Sequence, residues 1–159
     1  MQTIFIIETK MNSLKQIEDF LSCSVVAVAG VSRNPKKFGY IAFKELLRKG
    51  MNAIPVNPFA DEIMGVKTFR NISSLPDNVT GLVVLTPRNY TESIVREAKL
   101  KGIKNIWIQQ RSETREAIKE LEEKDINYIT GECILMYFKP HGIHKFHSAI
   151  KKLFRKYPK

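Results

Sequence analysis

The fold of this chain is decided by the stretch VVAVAGVSRNPKKFG at residues 25–39. Its first five residues are apolar, which fits a short buried strand, and the glycine, serine, asparagine and proline that follow are typical of a turn. From Phe38 onward the apolar residues take the spacing of an amphipathic helix. The stretch therefore predicts a strand, a turn and a helix, an arrangement in which backbone N–H groups at the helix N-terminus bind phosphate.

Strand-like and helix-like patterns alternate along the rest of the chain. We predict helices at residues 14–21, 38–49, 91–101 and 113–124, and strands at residues 25–29, 52–56, 82–85, 105–108 and 127–130. A short edge strand at residues 66–69 and one helical turn at residues 72–75 complete the prediction. Because the strands are short and apolar, the expected fold is an α/β, Rossmann-like open sheet, mostly parallel, with helices on both faces.

The length and the charge distribution favour one domain with a basic tail. The 159 residues fit a single core at about residues 13–136, followed by a basic amphipathic helix at about residues 143–156. Seven of the ten excess positive charges lie between Cys133 and the C-terminus, where the sequence has no Asp or Glu. This distribution indicates a local basic patch rather than a nucleic-acid footprint along the whole chain.

The cysteines and the N-terminus bear on the cellular compartment. Cys23 and Cys133 lie far apart and form no disulfide framework, which favours a reducing environment. The apolar run at residues 4–7 is too short for a signal peptide or a membrane span. We therefore expect a soluble cytoplasmic protein that does not bind membranes.

In a sheet of this kind, ligands bind beyond the carboxyl ends of the strands, at the point where the strand order reverses. All five predicted strands end in polar or turn residues. These ends are Gly30-Val31-Ser32-Arg33, Val56-Asn57-Pro58, Leu85-Thr86-Pro87, Gln109-Gln110-Arg111 and Gly131-Glu132-Cys133.

The glycine fingerprint of dinucleotide-binding folds is absent from the first of these ends. Gly30 is present, but Ser32 and Pro35 stand in the places of the second and third glycine. The acidic residue that would bind a ribose diol after the second strand is replaced by Asn57 and Pro58. Because a carboxylate there would repel a phosphate, its absence favours a phosphorylated ribose.

Three cations in the first loop also favour a ligand that carries phosphate. Arg33, Lys36 and Lys37 precede a helix start, where positive charge opposes the helix dipole. A phosphate partner would account for this placement, and solvated charges without a ligand are the alternative. The loop therefore suggests a ligand with more phosphate charge than NAD.

At this point the sequence resembles a known family. The runs GVSRNPKKFG at residues 30–39, PVNP at 55–58, DEIMG at 61–65, IWIQQ at 106–110 and CILM at 133–136 look like those of the small, stand-alone coenzyme A-binding domain proteins. The resemblance covers residues 25–136 and implies a Rossmann-like domain similar to the coenzyme A-binding domain of succinyl-CoA synthetase α-subunits. It implies coenzyme A or an acyl-CoA as the cofactor, with its nucleotide part held by the first loop and the ends after the second and third strands. The predicted binding residues are Gly30, Val31, Ser32, Arg33, Lys37, Phe38, Gly39, Asn57, Pro58, Thr86, Pro87, Gln109 and Gln110.

Individual residues keep two interpretations. Arg111 stands where the resembling proteins commonly have glycine, so it either narrows the pocket or adds a phosphate contact. Cys133 is expected to be a buried small residue, and a thiol facing the pantetheine arm is the alternative. Trp107 and Phe38 are expected in the core, with Phe38 beside the adenine as the other interpretation.

The sequence gives little indication of catalysis or of metal binding. His141, His144 and His147 lie in the tail, and their spacing places only two of them on one helix face. We therefore predict no catalytic and no metal-binding residues, and a protein that binds a small-molecule nucleotide without catalysis of its own. An NADP-linked oxidoreductase and a nucleic-acid-binding module that uses the tail are the alternatives, and a homodimer or a partner protein is left open.

Overall fold

A computed structural model describes residues 11–123 and 125–139 of the chain and has the α/β, Rossmann-like architecture that the sequence predicts. In chain order its elements are α1 (Leu14–Leu21), β1 (Val26–Ala29), α2 (Phe38–Arg48), β2 (Ala53–Val56), β3 (Glu62–Ile63), β4 (Val66–Lys67), β5 (Gly81–Val84), α3 (Arg88–Lys101), β6 (Asn105–Gln109), α4 (Arg115–Leu121), β7 (Asn127–Glu132) and a 3₁₀ helix (Ile134–Met136). Within the described residues, five strands form one parallel sheet in the order β2-β1-β5-β6-β7.

The sheet separates two hydrophobic cores because successive side chains of a strand point to opposite faces. Val26 and Val28 of β1 pack with α1, α2 and the 3₁₀ helix. Ala27 and Ala29 of the same strand pack with α3 and α4. Trp107, predicted in the core, is fully buried on the face of the sheet that α1 and α2 cover. This division matters for the site, because α2 and α3 cover opposite faces of the sheet.

The outer edge of β7 is closed by side chains at the start of α1. The Asn12 amide donates to the carbonyl of Thr130 and accepts from its N–H, at 2.8 and 3.3 Å. Ser13 caps α1 as predicted, since its hydroxyl accepts from the N–H of Gln16 and the Gln16 amide accepts from the N–H of Ser13. Because these backbone groups of Thr130 are already hydrogen-bonded, they cannot pair with a further strand at this edge.

A buried lysine joins α2 to the segment after the 3₁₀ helix. The Lys49 ammonium donates to the carbonyl oxygens of Leu135 and Phe138, at 3.2 and 3.0 Å. Burial lowers the pKa of this amine. The Lys139 amine in turn donates to the carbonyl of Lys49 at 3.0 Å. These bonds hold the last described residues against the C-terminal end of α2.

Several predicted boundaries are wrong. Residues 66–69 do not form a simple edge strand, because β4 pairs antiparallel with β3 in a separate two-residue hairpin, and only Phe69 bridges to Val56 of the main sheet. The hairpin turn at Met64 and Gly65 has positive φ at both residues. Residues 72–75 form a hydrogen-bonded turn instead of a helical one, and α4 is shorter than predicted at both ends.

The C-terminal prediction falls outside the described residues. The expected basic helix at residues 143–156 and the three histidines belong to the part of the chain that is not described. Across residues 11–123 and 125–139, no helix is both long and apolar enough to cross a membrane.

Candidate functional site

The strand order of the main sheet reverses between β1 and β5. From β1 the chain continues to β2 on one side, and it later returns to place β5 on the other side. The helices that follow these two strands, α2 and α3, pack on opposite faces of the sheet. Because the two connections leave in opposite directions, a crevice opens at the carboxyl ends of β1 and β5, which is the usual ligand position in open parallel sheets.

Two glycines allow the backbones around this crevice to approach closely. Gly30, directly after β1, has a φ of +90°, and a Cβ there would lie 2.8 Å from the carbonyl carbon of Leu85 and the nitrogen of Thr86. A Cβ on Gly39 would lie only 2.2 Å from the carbonyl oxygen of Gly30. Any side chain at either position would therefore displace backbone, so the loops after β1 and β5 and the start of α2 form one tightly packed unit.

The first of two cavities lies between the ends of β1, β2 and β5 and the side of α3. Its volume is about 460 Å³, within the range of small-molecule sites. Asn57 shapes its wall, because its amide donates to the carbonyl of Val31 at 2.7 Å and accepts from the N–H of Phe59 at 2.8 Å. The lining residues are Ala29, Gly30, Val31, Ser32, Val56, Asn57, Pro58, Phe59, Arg70, Asn71, Ile72, Thr86, Pro87, Tyr90, Ser93, Ile94 and Glu97.

The second cavity lies on the other side of Gly30 and Thr86 and has a volume of about 770 Å³. Lys37 and Arg111 give it two positive charges, and no carboxylate lines it among the described residues. The Gln109 side chain is buried and its amide oxygen accepts from the N–H of Ile134 at 3.2 Å, which ties β6 to the 3₁₀ helix. The lining residues are Gly30, Ser32, Lys37, Phe38, Gly39, Leu85, Thr86, Pro87, Gln109, Gln110, Arg111 and Ser112.

Thr86 lies where the two cavities meet and has an unused hydroxyl. Its residue is only 8% exposed, and in the described part of the chain its Oγ1 atom has no hydrogen-bond partner. Leaving a buried hydroxyl unsatisfied costs about 1–3 kcal/mol. The N-terminus of α2 borders the same place, and its N-cap residue Lys37 makes no side-chain capping bond. Within the described residues, a buried hydroxyl without a partner lies beside a helix N-terminus without a side-chain cap, and this pair suits an anionic oxygen.

The structure brings most of the predicted site residues together. Twelve of the thirteen line one or both cavities, and Gly30, Ser32, Thr86 and Pro87 line both. Arg33 is exposed and lines neither cavity. Phe38 was expected in the core, but it is 47% exposed and lines the second cavity. Cys133 is buried in the core, as its first interpretation predicts, and the strand end at residues 131–133 lines neither cavity.

Sequence reasoning missed the contribution of α3. Tyr90, Ser93, Ile94 and Glu97 all line the first cavity. Their spacing of three, four and seven residues places them on one helix face, and the face begins directly after Pro87. The predicted helix starts at residue 91, after Tyr90, and none of these four side chains is among the predicted binding residues. Arg70 and Asn71 had no such signal, because a loop brings them to the cavity.

The residues of these cavities offer no grouped metal ligands. Across residues 11–123 and 125–139, no three His, Cys, Asp or Glu side chains come together as a metal site. The charged side chains that line the cavities in the described part of the chain are Arg70 and Glu97 in the first and Lys37 and Arg111 in the second.

Comparisons with known proteins agree with this geometry. A family model described as a CoA binding domain matches residues 24–139. The ADP-forming acetate–CoA ligase II subunit alpha of Pyrococcus furiosus is 29% identical over 143 residues, which cover 87% of this chain and 31% of that subunit. The uncharacterized protein YneT of Bacillus subtilis is 28% identical over 123 residues, which cover 77% of this chain and 91% of that protein.

A solved structure shares both the fold and the sequence pattern. A conserved hypothetical protein from Pyrococcus furiosus matches with a TM-score of 0.66 and 38% identity, covering 69% of this chain and 95% of that one. The ligases are much longer than this chain, which spans 31% of the Pyrococcus subunit and 19% of an ADP-forming acetate–CoA ligase from Methanocaldococcus jannaschii.

Proposed function

The chain belongs to the CoA binding domain family, and from that premise we propose that it binds coenzyme A or an acyl-CoA through the phosphates of the nucleotide part. The proposal assigns no catalytic step to the chain itself. It rests above all on one observation: the two cavities meet at the Thr86 hydroxyl, which has no hydrogen-bond partner among the described residues, and the N-terminus of α2 borders the second cavity there.

The two cavities suit the two halves of this ligand. The first, with aromatic residues Phe59 and Tyr90 beside aliphatic ones, has the character of a base pocket. The second is larger and more open to a flexible chain such as the pantetheine arm. The pyrophosphate would then lie between them, beside Gly30 and Thr86, where backbone and hydroxyl donors are available.

Cations near both cavities match the charge of the ligand. Coenzyme A carries a pyrophosphate and a ribose 3′-phosphate. Lys37 and Arg111 line the second cavity, and Arg70 lines the first while pairing with Asp61 at 3.0 Å. Arg33 is close in sequence, and its exposed side chain is a further phosphate contact in this proposal. A hydrogen bond to a charged group contributes about 1.5–3 kcal/mol.

A partner protein belongs to the proposal. The Pyrococcus furiosus ligase relative is named as a subunit alpha, and this chain matches less than a third of the length of that relative and of the Methanocaldococcus jannaschii ligase. We infer that the chain supplies coenzyme A binding either alone or to another polypeptide. A homodimer remains the other form of assembly that the sequence leaves open.

Isothermal titration calorimetry with coenzyme A, dephospho-coenzyme A, NADP and NAD tests the proposal. We expect coenzyme A to bind tightest and the dephospho form to bind about tenfold more weakly, because one charged contact contributes about 1.4 kcal/mol or more. NAD should show no binding, because it lacks both the ribose phosphate and the pantetheine arm. Native mass spectrometry of the freshly purified protein gives an independent readout of a co-purified coenzyme A or acyl-CoA.

The alternatives give different results in the same measurements. Tighter binding of NADP, accompanied by hydride transfer to a carbonyl substrate, would replace the proposal with an oxidoreductase. Binding of DNA or RNA that weakens steeply with salt would indicate a nucleic-acid-binding module. Equal affinities for coenzyme A and its dephospho form would contradict the role of the ribose phosphate.

A further inference from the structure

Glu97 is a carboxylate in the wall of the first cavity, where the lining cation Arg70 pairs with Asp61 at 3.0 Å and not with Glu97. It is half-buried, and none of the ion pairs among the described residues includes it. Its neighbours on α3 are paired elsewhere, with Arg96 bonded to Glu92 and Glu120. Most carboxylates in such a position are balanced by a cation or point into solvent. An unbalanced one in a cavity wall calls for a polar partner that donates hydrogen bonds.

One oxygen of Glu97 already has a partner within the protein. Its Oε2 atom accepts the N–H of Ile72 at 3.2 Å, which holds the loop that carries Arg70 against α3. A carboxylate has two oxygens and about four acceptor sites, so this single bond leaves capacity for another donor. No hydrogen bond within the described residues occupies the Oε1 atom.

The surroundings of Glu97 fit a flat heterocycle. Tyr90, Ile94 and Glu97 lie on one face of α3, so an aromatic ring, an aliphatic side chain and a carboxylate follow one another along the cavity wall. Pro58 and Phe59 lie at the end of β2 in the same cavity, and the Phe59 ring is 80% exposed. Exposed rings beside a cavity offer stacking surfaces for a planar base.

We propose that Glu97 selects the base of the nucleotide, by accepting a hydrogen bond from the exocyclic amino group of adenine. The inference rests on the proposed function and adds the residue that reads the base. An ionised carboxylate can only accept hydrogen bonds, so it binds a base that carries an amino group at this position. When the base carries a carbonyl there instead, two acceptors face each other and no hydrogen bond forms. Hypoxanthine differs from adenine at that position and at the protonation of the neighbouring ring nitrogen.

The expected discrimination is large enough to measure. Sites that hydrogen-bond a ligand group reject analogues that lack it, because their own polar group is then left unpaired. One charged hydrogen bond corresponds to a preference of about tenfold to a hundredfold. Glu97→Gln keeps an acceptor for the Ile72 N–H and adds a donor, so it should accept either base.

Calorimetric titration of adenosine 3′,5′-bisphosphate and inosine 3′,5′-bisphosphate tests this role. We expect the natural protein to favour the adenosine compound by about tenfold or more, and Glu97→Gln to reduce that preference to about threefold or less. The matched control is Glu92→Gln, which removes a carboxylate from the same helix but not from the cavity. It should leave the preference unchanged, and thermal unfolding confirms that both variants are folded.

Three outcomes would overturn the inference. They are equal binding of the two compounds by the natural protein, an undiminished preference in Glu97→Gln, and an equal loss of preference in Glu92→Gln. Failure of the proposed function gives a different result, because then neither bisphosphate nor coenzyme A would bind the natural protein at all.

Discussion

The two cavities share four lining residues but differ in chemistry. The first is lined by aromatic and aliphatic side chains, and its charged lining residues in the described part of the chain are Glu97 and Arg70. The second contains two cations, Lys37 and Arg111, and no carboxylate among its described lining residues. Because both open from the same strand ends, the difference comes from the elements beside them: α3 and the β2 end shape one, the α2 start and the β6 end the other.

This difference implies which part of the ligand occupies which cavity. A pocket with aromatic and aliphatic walls and the Glu97 carboxylate suits a base, whereas a cavity lined by two cations suits groups near phosphate. The shared residues lie where a ligand would pass from one to the other, and there the backbone at Gly30 approaches the backbone at Thr86 within a distance that excludes a Cβ. Changes at the shared residues should therefore affect both halves of the ligand, and changes on one side only one half.

Gly30→Ala should have the largest effect, because it alters both cavities at once. The added Cβ would meet the backbone of Leu85 and Thr86 at 2.8 Å, at a φ of +90°. We expect affinity for coenzyme A to fall by about a hundredfold or more, and the free energy of unfolding to fall by about 3 kcal/mol from strain and overpacking together. Calorimetry and denaturant titration measure the two effects.

Gly65→Ala is the matched control for Gly30. Its φ is also positive, at +75°, but no atom lies within 4 Å of the position that a Cβ would take. It should lose only about 1 kcal/mol of stability and no affinity. If the two variants lose the same stability and neither loses affinity, then the close approach at Gly30 is unimportant for the site.

Thr86→Val should separate stability from binding at the point where the cavities meet. Valine has nearly the same shape but no hydroxyl, so it removes a buried group that has no partner in the described part of the chain. We expect unfolding free energy to rise by about 1 kcal/mol while affinity for coenzyme A falls about tenfold. An unchanged affinity would contradict the contact with the ligand, and a fall in the free energy of unfolding would mean that the hydroxyl supports the fold.

Lys37→Ala should weaken coenzyme A binding through the second cavity alone. Lys37 lines that cavity, whereas Lys36, its neighbour in sequence, lines neither. We expect coenzyme A to bind about fivefold more weakly to Lys37→Ala, the loss being small because the side chain is exposed and the charge is screened. Lys36→Ala should bind as the natural protein does. Equal losses in the two variants would replace a specific contact with a general effect of net charge.

The sequence carried enough information for the sheet and for most of the site. Short apolar runs ending in turn residues identify parallel strands, and the carboxyl ends of parallel strands meet at one edge by topology alone. This is why Asn57 and Thr86, far from Gly30 in sequence, could be placed beside it. The sequence shows the glycines at positions 30 and 39, but the close approach of their backbones to Leu85, Thr86 and Gly30 is seen only in the structure.

Other features depend on tertiary packing that no local pattern shows. The β3–β4 hairpin has strands of two residues, too short to show an alternation, and Arg70, which lines the first cavity, follows that hairpin in a loop. Phe38 resembles a core residue by type, but its place at the first position of α2 turns it toward the second cavity. The acceptor role of Gln109 toward Ile134 required knowledge of where the 3₁₀ helix packs.

Arg111 offers the last and smallest test of the difference between the cavities. Its φ is +74°, in the left-handed region that costs an L residue about 1–2 kcal/mol, and it lines only the second cavity. Arg111→Gly should raise the free energy of unfolding by about 1 kcal/mol and weaken coenzyme A binding about threefold. Arg111→Ala removes the same charge but keeps the strain, so its stability should stay unchanged while its affinity falls equally. Both variants lose the positive charge, and only Arg111→Gly also loses the strain. If Arg111→Ala binds coenzyme A as tightly as the natural protein does, this cation faces solvent instead of the ligand.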